Sequence, residues 1–535
     1  MKKSIFVIVA VIILSVFTYS CNQDLLNTEQ RGVINSDRFY ENATDAQAQA
    51  LIAYVYKQAF TITGISGWYY DMSFDVNATG VTVSNVSVSS QNHAGNARFT
   101  SLYRINYLCN MIIDKMNEDS NEKTIITGEA YFWRAWAYMY LIQMYGTPPL
   151  VDHVLTGDLN LPNGDRAALW NYVETSFQEA VSRLPVKSSL DGQRQIGGRV
   201  TKHSAYAALG KAQLWKGDYA AAISSFEQVI NSNLYDLIDD YSAFFRPHAD
   251  FCKEYMWELS VPDNDQANHD LLSYSHMLNS GWRGENVRQP GGIEMGFGSS
   301  MYNKEFYDFM IARGEKGKNR YLGTIWDQED VLDKFISIGE ASNRTEAYSV
   351  MWGIPPHSGQ GYFPAKHLQY AEDLYESTGF QDYFSKSNIP MMRFSDVLLC
   401  YAEACALSGT KASEGLAALN RVRVRAGLDP FTALTLQDVK DEKRAELIME
   451  GERYFDLIRW GDTPTAVAGR GFFSYQFYGY KEGTDMENGS PSDYDVVAEV
   501  FNGAQNFVVG RDELFPFPYS EMNLNENLRQ NPNWE

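Results

Sequence analysis

Residues 200–231 read VTKHSAYAALGKAQLWKGDYAAAISSFEQVIN, and their spacing predicts two helices packed against each other. Small residues let the helices approach, and large residues fill the groove between them. Gly217 and Asp218 supply a tight turn between the helices. The positions that follow the tetratricopeptide pattern are Tyr206, Leu209, Gly210, Gly217, Tyr219, Ala222 and Phe226. This stretch therefore predicts one tetratricopeptide helix pair.

Other parts of the chain repeat this arrangement. A single pair cannot bury its apolar face without neighbouring pairs. Helical periodicity predicts further pairs at residues 128–145 with 166–184, 394–407 with 413–426, and 436–451 with 454–460. It also predicts helices over 36–60, where Asp37 can cap, and over 98–117. We expect a mainly all-α fold with a tetratricopeptide-repeat scaffold.

A long insertion separates the repeats. From residue 233 to 390 the chain becomes rich in Gly, Pro, Asn, Tyr and Trp, and short helices are predicted only near 303–313 and 328–336. The segment 462–515 has a similar composition. Surface loops of this kind often carry binding residues. We therefore expect a large irregular, loop-rich lobe that binds the ligand.

Composition and charge argue against some classes of protein and ligand. Hydrophobic residues make up 44% of the chain and aromatic residues 14%, which is typical of a globular protein and not of a disordered one. The formal net charge is -22. Affinity for a phosphate backbone depends on Lys and Arg, so this balance argues against a nucleic-acid partner and leaves neutral ligands open.

The N-terminus has the form of a secretory signal. Two lysines precede an apolar run from Ile5 to Phe17, which is shorter than the roughly 20 residues that a membrane-spanning helix needs. Ser20, a small residue, precedes Cys21. We expect removal of residues 1–20 and lipidation of Cys21. Acyl chains would then anchor the protein, because each buried CH₂ contributes about 0.8 kcal/mol.

Catalytic signatures are not found in the sequence. It contains no HExxH, no GxSxG elbow, no Walker loop and no GxGxxG that opens a helix. Its 8 histidines include no pair at the i, i+4 spacing that places two metal ligands on one helix face. We predict no catalytic residue, no cofactor and no metal site. A glycosidase needs only two carboxylates about 5 to 10 Å apart, so that class stays open.

The densest charge pattern lies at residues 441–460, DEKRAELIMEGERYFDLIRW. Charged residues recur at short intervals: Arg444 lies two positions from Glu442 and Glu446, Glu452 lies four positions from Asp456, and Asp456 lies three positions from Arg459. Ion pairs at this spacing stabilise a helix, and arginine can bind a carboxylate through two parallel hydrogen bonds. We interpret the run as helix-stabilising ion pairs and a buried arginine network, and not as a catalytic carboxylate pair.

The same run resembles the C-terminal signature of the SusD/RagB family. Other stretches agree with the family in order and spacing. They are Met392–Leu399 with Tyr401–Ala404, Leu419–Asn420 with Val422–Arg423, Leu514–Pro518, Asn531–Trp534, Phe132–Ala135 with Tyr145–Gly146 and Pro149, and Cys21 with Leu25–Leu26. The resemblance covers both ends of the chain and the repeats, but not the middle.

This resemblance implies an outer-membrane lipoprotein that faces the cell exterior. Such a protein binds oligosaccharide or polysaccharide without cleaving it and passes it to a SusC-like TonB-dependent transporter, over which it acts as a lid. The implied scaffold has four tetratricopeptide units. The implied regions are a signal peptide (1–20), an N-terminal region with tetratricopeptide helices (21–232), the ligand-binding lobe (233–390) and a C-terminal region with further repeat helices (391–535).

Motifs cannot transfer the glycan-binding residues, because these lie in the least constant region of the family. A pyranose has apolar faces that lie on aromatic rings, and its hydroxyl groups need polar partners. Seven tryptophans fall in predicted helices or family motifs and are expected in the core: Trp133, Trp136, Trp170, Trp215, Trp257, Trp460 and Trp534. The remaining candidates, with polar neighbours, are Trp282, Trp68, Trp326, Trp352, Arg283, Tyr302, Asp71 and Asn96. Trp282 is the first choice, because glycines flank it and Arg283 and Asn279 supply hydrogen bonds.

Two alternative functions stay open. A family member that captures peptide or another nutrient should show an open strand edge or a pocket with few aromatic residues. A secreted glycoside hydrolase should show a carboxylate pair inside a cleft.

Overall fold

The computed structural model describes residues 36–65, 75–78, 89, 93–157, 159–187, 198–260, 292–294, 300–352, 360–374, 385–466, 475–500 and 507–534. Its helices are α1 (Ser36–Glu41), α2 (Asp45–Phe60), α3 (His93–Lys115), α4 (Asn121–Tyr145), α5 (Arg166–Arg183), α6 (Lys202–Lys216), α7 (Tyr219–Ile230), α8 (Lys304–Ala312), α9 (Asn319–Leu322), α10 (Gln328–Ser337), α11 (Arg344–Trp352), α12 (Phe394–Ser408), α13 (Ala412–Arg425), α14 (Leu436–Glu446), α15 (Arg453–Trp460), α16 (Thr463–Ala466) and α17 (Tyr519–Leu524). Its strands are β1 (Val76–Ala78), β2 (Tyr255–Leu259), β3 (Ile293–Glu294), β4 (Ser300–Tyr302), β5 (Ile325–Trp326), β6 (Phe363–Pro364), β7 (Gln369–Tyr370), β8 (Ile389–Arg393), β9 (Tyr475–Tyr480) and β10 (Tyr494–Val500).

Consecutive helices pack in pairs and form the scaffold. α4 packs on α5, α6 on α7 and α12 on α13, and neighbouring pairs meet through α5 with α6 and α7 with α12. Each pair thus covers the apolar face of the next, and one continuous core results. α14 packs on α12, and the Lys443–Asp456 ion pair of 2.9 Å joins α14 to α15. The predicted mainly helical, tetratricopeptide-like scaffold is confirmed.

The pair α6–α7 shows why its residues fold in this way. The Thr201 hydroxyl accepts a hydrogen bond from the Ser204 amide and starts α6, and the Asp218 side chain accepts from the Ala221 amide and starts α7. Gly217 ends α6 with a φ of 86°, which favours glycine. A Cβ on Gly210 would lie 2.6 Å from the Phe226 ring, so only glycine permits this close approach.

The range 36–60 is helical as predicted, but it forms two helices, α1 and α2. The reason is a capping box. Thr44 accepts from the Gln47 amide, and the Gln47 side chain accepts from the Thr44 amide, so a new helix starts after Thr44. The helix predicted over 98–117 begins earlier, at His93.

The lobe between the repeats contains short strand pairs and small cores. The predicted short helices appear as α8 and α10, but α9 and α11 were not predicted. The β9–β10 hairpin also lies in a segment predicted to be irregular. Separate apolar clusters form around Phe335, beneath β5 and β6, and around Phe306, next to β4.

The C-terminal segment packs against the end of α4. The Phe515 amide donates to the Met144 carbonyl at 2.6 Å. The Asn531 side chain donates to the Tyr145 carbonyl at 3.1 Å and to the Phe515 carbonyl at 2.7 Å. The last carbonyls of a helix have no partner within it, so these contacts complete the end of α4.

The predicted core residues agree in part with the structure. Trp133, Trp136, Trp170 and Trp257 are buried. Trp215, Trp460 and Trp534 keep part of their surface exposed. In the described part of the chain, every helix is too short or too polar to cross a membrane.

Candidate ligand-binding site

Short strands from distant parts of the sequence meet in what we call the strand cluster, formed by β1, β4, β5 and β6. Val76 of β1 lies opposite Tyr302 of β4. Tyr302 also bridges to Tyr362, the residue before β6, and Phe363 of β6 lies opposite Trp326 of β5. In the sequence, Trp68 and Asp71 precede β1, and Trp282 and Arg283 precede β3 and β4.

Several predicted residues lie outside the described residues. They are Cys21, Trp68, Asp71, Trp282 and Arg283. Trp352 is the last residue of α11, and the structure describes its backbone alone. By chain position, Asp71 precedes Asp75, at the start of β1, by four residues. Trp68 precedes it by seven residues.

Trp326 is half-buried at the edge of the strand cluster. Its indole Nε1 donates to the Leu322 carbonyl at 2.7 Å, which fixes the orientation of the ring. The ring packs on the apolar cluster that includes Val331 and Phe335. A fixed aromatic side chain with remaining exposed surface is suited to stack against a sugar, because it loses little conformational entropy on binding.

Tyr302 does not suit a ligand platform, and its prediction as a binding residue requires correction. Its side chain is 0% exposed, and its ring packs 4.9 Å from the ring of Phe306. Burial raises the pKa of Tyr302 well above its ordinary value. The reason is its position, since β4 leads directly into α8 and directs Tyr302 into the core that contains Phe306 and Met310. A ring without exposed surface cannot stack on a sugar.

Asn96 lies in the first part of α3 and is partly exposed. α3 packs on α2 and α4, so the structure places Asn96 on the helical scaffold. It is therefore not one of the residues that the strand cluster positions.

A group of aromatic and polar side chains beside the strand cluster was not predicted. The rings of Tyr307 and Tyr362 stack with centroids 4.4 Å apart and an interplanar angle of 22°. The Tyr307 hydroxyl donates to Asp327 Oδ2 at 2.9 Å, and Lys316 Nζ donates to the same oxygen at 2.6 Å. Burial and the Asp327 charge raise the pKa of Tyr307 well above its ordinary value.

We call Tyr307, Tyr362, Asp327 and Lys316 the tyrosine group. Tyr307 is partly exposed and Lys316 is exposed, whereas Tyr362 and Asp327 are buried. An aromatic surface beside hydrogen-bond donors and acceptors is what a pyranose requires. Tyr307 falls in a predicted helix, and the sequence contains no signal that would place it beside Tyr362.

A buried charge network joins the strand-bearing lobe to α14. Glu446 accepts from Arg425 Nη2 at 2.6 Å, from Arg393 Nη1 at 2.9 Å and from Arg320 Nη1 at 3.3 Å. Burial alone would raise the pKa of Glu446, but the guanidinium groups of Arg425, Arg393 and Arg320 hold it well below its ordinary value. The predicted buried arginine network is therefore confirmed.

The partners within this network differ from the local pairing suggested by the sequence. Glu442 binds Arg320 and Arg313, at 2.6 and 2.5 Å, and both arginines come from the lobe. Arg444 pairs with Asp75. The local pair Arg459–Asp456, at 2.7 Å, does form. The charged run thus connects distant parts of the chain as well as stabilising its own helices.

Two family models match this chain. The first, described as the SusD family, matches residues 279–534, and the second, described as "Starch-binding associating with outer membrane", matches residues 33–214. The chain belongs to the SusD/RagB family. The resemblance stated from the sequence motifs is confirmed, and the match to the SusD family extends into the middle of the chain.

The similarity of this SusD/RagB member to known proteins extends over almost its whole length. A SusD-like protein of Bacteroides ovatus is 21% identical over an alignment of 560 residues, and this alignment covers 96% of this chain and 95% of the relative. A solved laminarin-binding SusD-like protein has a TM-score of 0.70 at 22% identity, covering 92% of this chain and 100% of that one. Surface glycan-binding protein A from Bacteroides thetaiotaomicron, solved with laminarihexaose, has a TM-score of 0.71 at 18% identity, covering 91% and 100% of the two chains. At these identities the solved structures show that the SusD-like fold is shared.

Proposed function

We propose that this protein captures oligosaccharide or polysaccharide at the cell surface and does not cleave it. The strand cluster carries this proposal, because it sets the half-buried ring of Trp326 beside the stacked rings and polar side chains of the tyrosine group. The proposed platform comprises Trp282, Trp68, Trp326 and Trp352, with Arg283 and Asp71 as polar candidates, whereas Asn96, on the helical scaffold, is left out of it. The laminarin-binding and laminarihexaose-bound relatives support a glycan as the ligand.

The buried carboxylates of the charged run 441–460 are not suited to hydrolysis. A glycosidase needs one carboxylic acid that donates a proton. Glu442 and Glu446 instead lie against arginines that lower their pKa values, although burial acts in the opposite direction. Burial raises the pKa of Glu452 to about 7, but this residue binds Lys211 at 2.6 Å among the scaffold helices.

The proposed location is the outer membrane, with the protein facing the cell exterior. Lipidation of Cys21 would provide the anchor, and the description of the matching family, which names outer-membrane association, supports this location. The proposed partner is a SusC-like TonB-dependent transporter that receives the glycan. The partner and the lid-like position follow from the family resemblance.

Native affinity electrophoresis tests the proposal. The mature chain with Cys21→Ser is run through gels that contain laminarin, starch or other polysaccharides, next to the Trp282→Ala and Trp326→Ala variants. Because one stacking ring contributes about 0.5 to 1.5 kcal/mol, each variant should bind about 2- to 13-fold more weakly. Tyr519→Ala, which removes a ring that is 57% exposed on α17, is the matched control and should bind normally.

Three outcomes are informative. Retardation by one or two glycans, weakened in the tryptophan variants and without release of reducing sugar, supports non-catalytic capture. Retardation by none of the glycans contradicts the proposal and favours a peptide or another nutrient. Shortening of the glycan contradicts it in favour of a hydrolase.

A further inference from the structure

Asp75 lies at the junction of three distant chain segments. Its carboxylate accepts from Arg444 Nη2 and, at 3.2 Å, from Arg444 Nε, and Arg453 Nε lies 3.3 Å from Asp75 Oδ2. The backbone carbonyl of Asp75 accepts from the Asn303 amide at 3.1 Å. Asp75 itself is only 2% exposed. The carboxylate of Asp75 thus joins the start of β1 to the helices α14 and α15, and its backbone carbonyl joins it to the end of β4.

The arginine side of this contact is held rigidly. The Arg444 guanidinium lies 4.4 Å from the ring centroid of Phe309 on α8. Burial opposes its charge, but Asp75 and other carboxylates raise the pKa of Arg444 above its ordinary value. Asn303, which follows β4, caps α8 by accepting from the Phe306 amide at 2.9 Å. Arg444 and Asn303, two of the partners of Asp75, therefore belong to well-packed elements.

The described part of the ladder between β1 and β4 is short. Within the described residues, three residue pairs join the two strands, from Val76 opposite Tyr302 to Ala78 opposite Ser300. A slip by one residue would turn every side chain to the opposite face, and a slip by two residues would move the strand by about 6.6 Å. A buried ion pair adds little net stability compared with apolar packing, whereas it can select one register over others.

We propose that Asp75 is a positioning residue. Its buried ion pairs with Arg444 and Arg453 fix the register of β1 on β4, and thereby the point where the chain enters the strand cluster, the proposed ligand-binding face. The part that concerns the ligand rests on the proposed function. Trp68 and Asp71 precede Asp75 by seven and four residues, so a displaced β1 would displace the origin of their segment. A slip by two residues displaces the strand by more than the distance that separates a stacked sugar from an aromatic ring.

A disulfide trap measures the register directly. Ala78→Cys and Ser300→Cys place two thiols at directly opposite positions of β1 and β4. The experiment uses the mature chain with Cys21→Ser and Cys252→Ser, because Cys109, Cys400 and Cys405 are buried. After oxidation with diamide, the double-cysteine chain that keeps Asp75 should form the 78–300 disulfide in high yield. Asp75→Asn should lower that yield at least threefold.

A matched variant separates register from general stability. Glu129→Gln also removes a buried carboxylate, which binds Arg199 Nε at 2.6 Å in the scaffold helix α4. This variant should lose thermal stability as Asp75→Asn does, yet keep the disulfide yield. An unchanged yield in Asp75→Asn, or an equal fall in both variants, would overturn the proposal.

Glycan affinity gives the second readout, below the unfolding temperature of every variant. Asp75→Asn should bind the retarding glycan at least fivefold more weakly, Glu129→Gln should bind normally, and the 78–300 disulfide should restore binding in the Asp75→Asn background. Normal binding by Asp75→Asn, or no rescue by the disulfide, would overturn the ligand part of the proposal. If the native chain binds no glycan at all, the proposed function fails, while the disulfide yields still decide the role of Asp75.

Discussion

Replacement of Glu446 by glutamine tests the role of the buried charge network. Glu446 is 0% exposed and accepts hydrogen bonds from Arg320, Arg393 and Arg425, and from the Tyr241 hydroxyl. Glutamine keeps the shape of the side chain and removes its negative charge. Three guanidinium groups then keep their positive charges in a buried site with one fewer carboxylate to compensate them.

The structure predicts a large loss of stability. Removal of one partner from a buried ion pair typically costs about 3–5 kcal/mol, because it leaves an uncompensated buried charge. At about 2.1 cal/mol/K of unfolding entropy per residue, a cooperative unit of about 500 residues has an unfolding entropy of about 1.1 kcal/mol/K. The midpoint of thermal unfolding should therefore fall by about 3–5 °C.

The pH dependence gives a second, independent check. The pKa of Glu446 is lower in the folded protein than in the unfolded chain, because the three arginines outweigh the effect of burial. Its contribution to stability is therefore present above an unfolded pKa of about 4.3 and is lost as the pH falls towards the lower folded value. The stability difference between the native protein and Glu446→Gln should be largest at pH 7 and shrink below pH 4.

Thermal unfolding followed by circular dichroism at pH 7, 5 and 3.5 provides the measurement. Glu499→Gln is the control, since Glu499 is exposed on β10 and its loss should change stability by less than about 0.5 kcal/mol. A midpoint for Glu446→Gln within 1 °C of the native value at pH 7 would refute the assigned role of the network.

Three further predictions follow from single sites. Burial raises the pKa of Glu452 to about 7, so the contribution of this residue to stability is lost as the pH rises from about 4.5 through 7. Over that range, the free energy of unfolding of Glu452→Gln, measured with urea, should rise relative to that of the native protein. Gly210→Ala should destabilise by about 1–3 kcal/mol because its Cβ would lie 2.6 Å from the Phe226 ring, whereas Gly157→Ala, with nothing within 4 Å, should unfold at the native temperature. Cys21→Ser in the full-length chain should abolish incorporation of labelled palmitate and release the protein from the membrane fraction; labelling that persists in this variant would contradict lipidation at Cys21.

The scaffold was predictable because its signals are local. The spacing of apolar residues over 200–231, with Gly217 and Asp218 between the helices, predicted the pair α6–α7 within two residues of its ends. The break between α1 and α2 also has a local cause, the Thr44–Gln47 capping box, which the apolar periodicity around it concealed.

The proposed ligand-binding face, formed by the strand cluster and the tyrosine group, was harder to predict because it depends on contacts between distant residues. Tyr302 lies in a polar, glycine-containing context, yet its pairing with Val76 and its junction with α8 place it in the core. Tyr307 lies beside Tyr362 only because β4 and β6 meet. In the charge network, the carboxylates of Glu442 and Glu446 were recognised from their spacing, whereas Arg320 and Arg393 could be assigned to them only in three dimensions.

The junction between α4 and the C-terminal segment has a consequence for the order in which the chain matures. The ribosome makes α4 early, but the carbonyl of Tyr145 receives its hydrogen bond from Asn531, 386 residues later. During synthesis from the N-terminus, the end of this helix therefore lacks these partners until residues 515–531 have emerged. Docking of the C-terminal segment is thus a late step in the assembly of the scaffold.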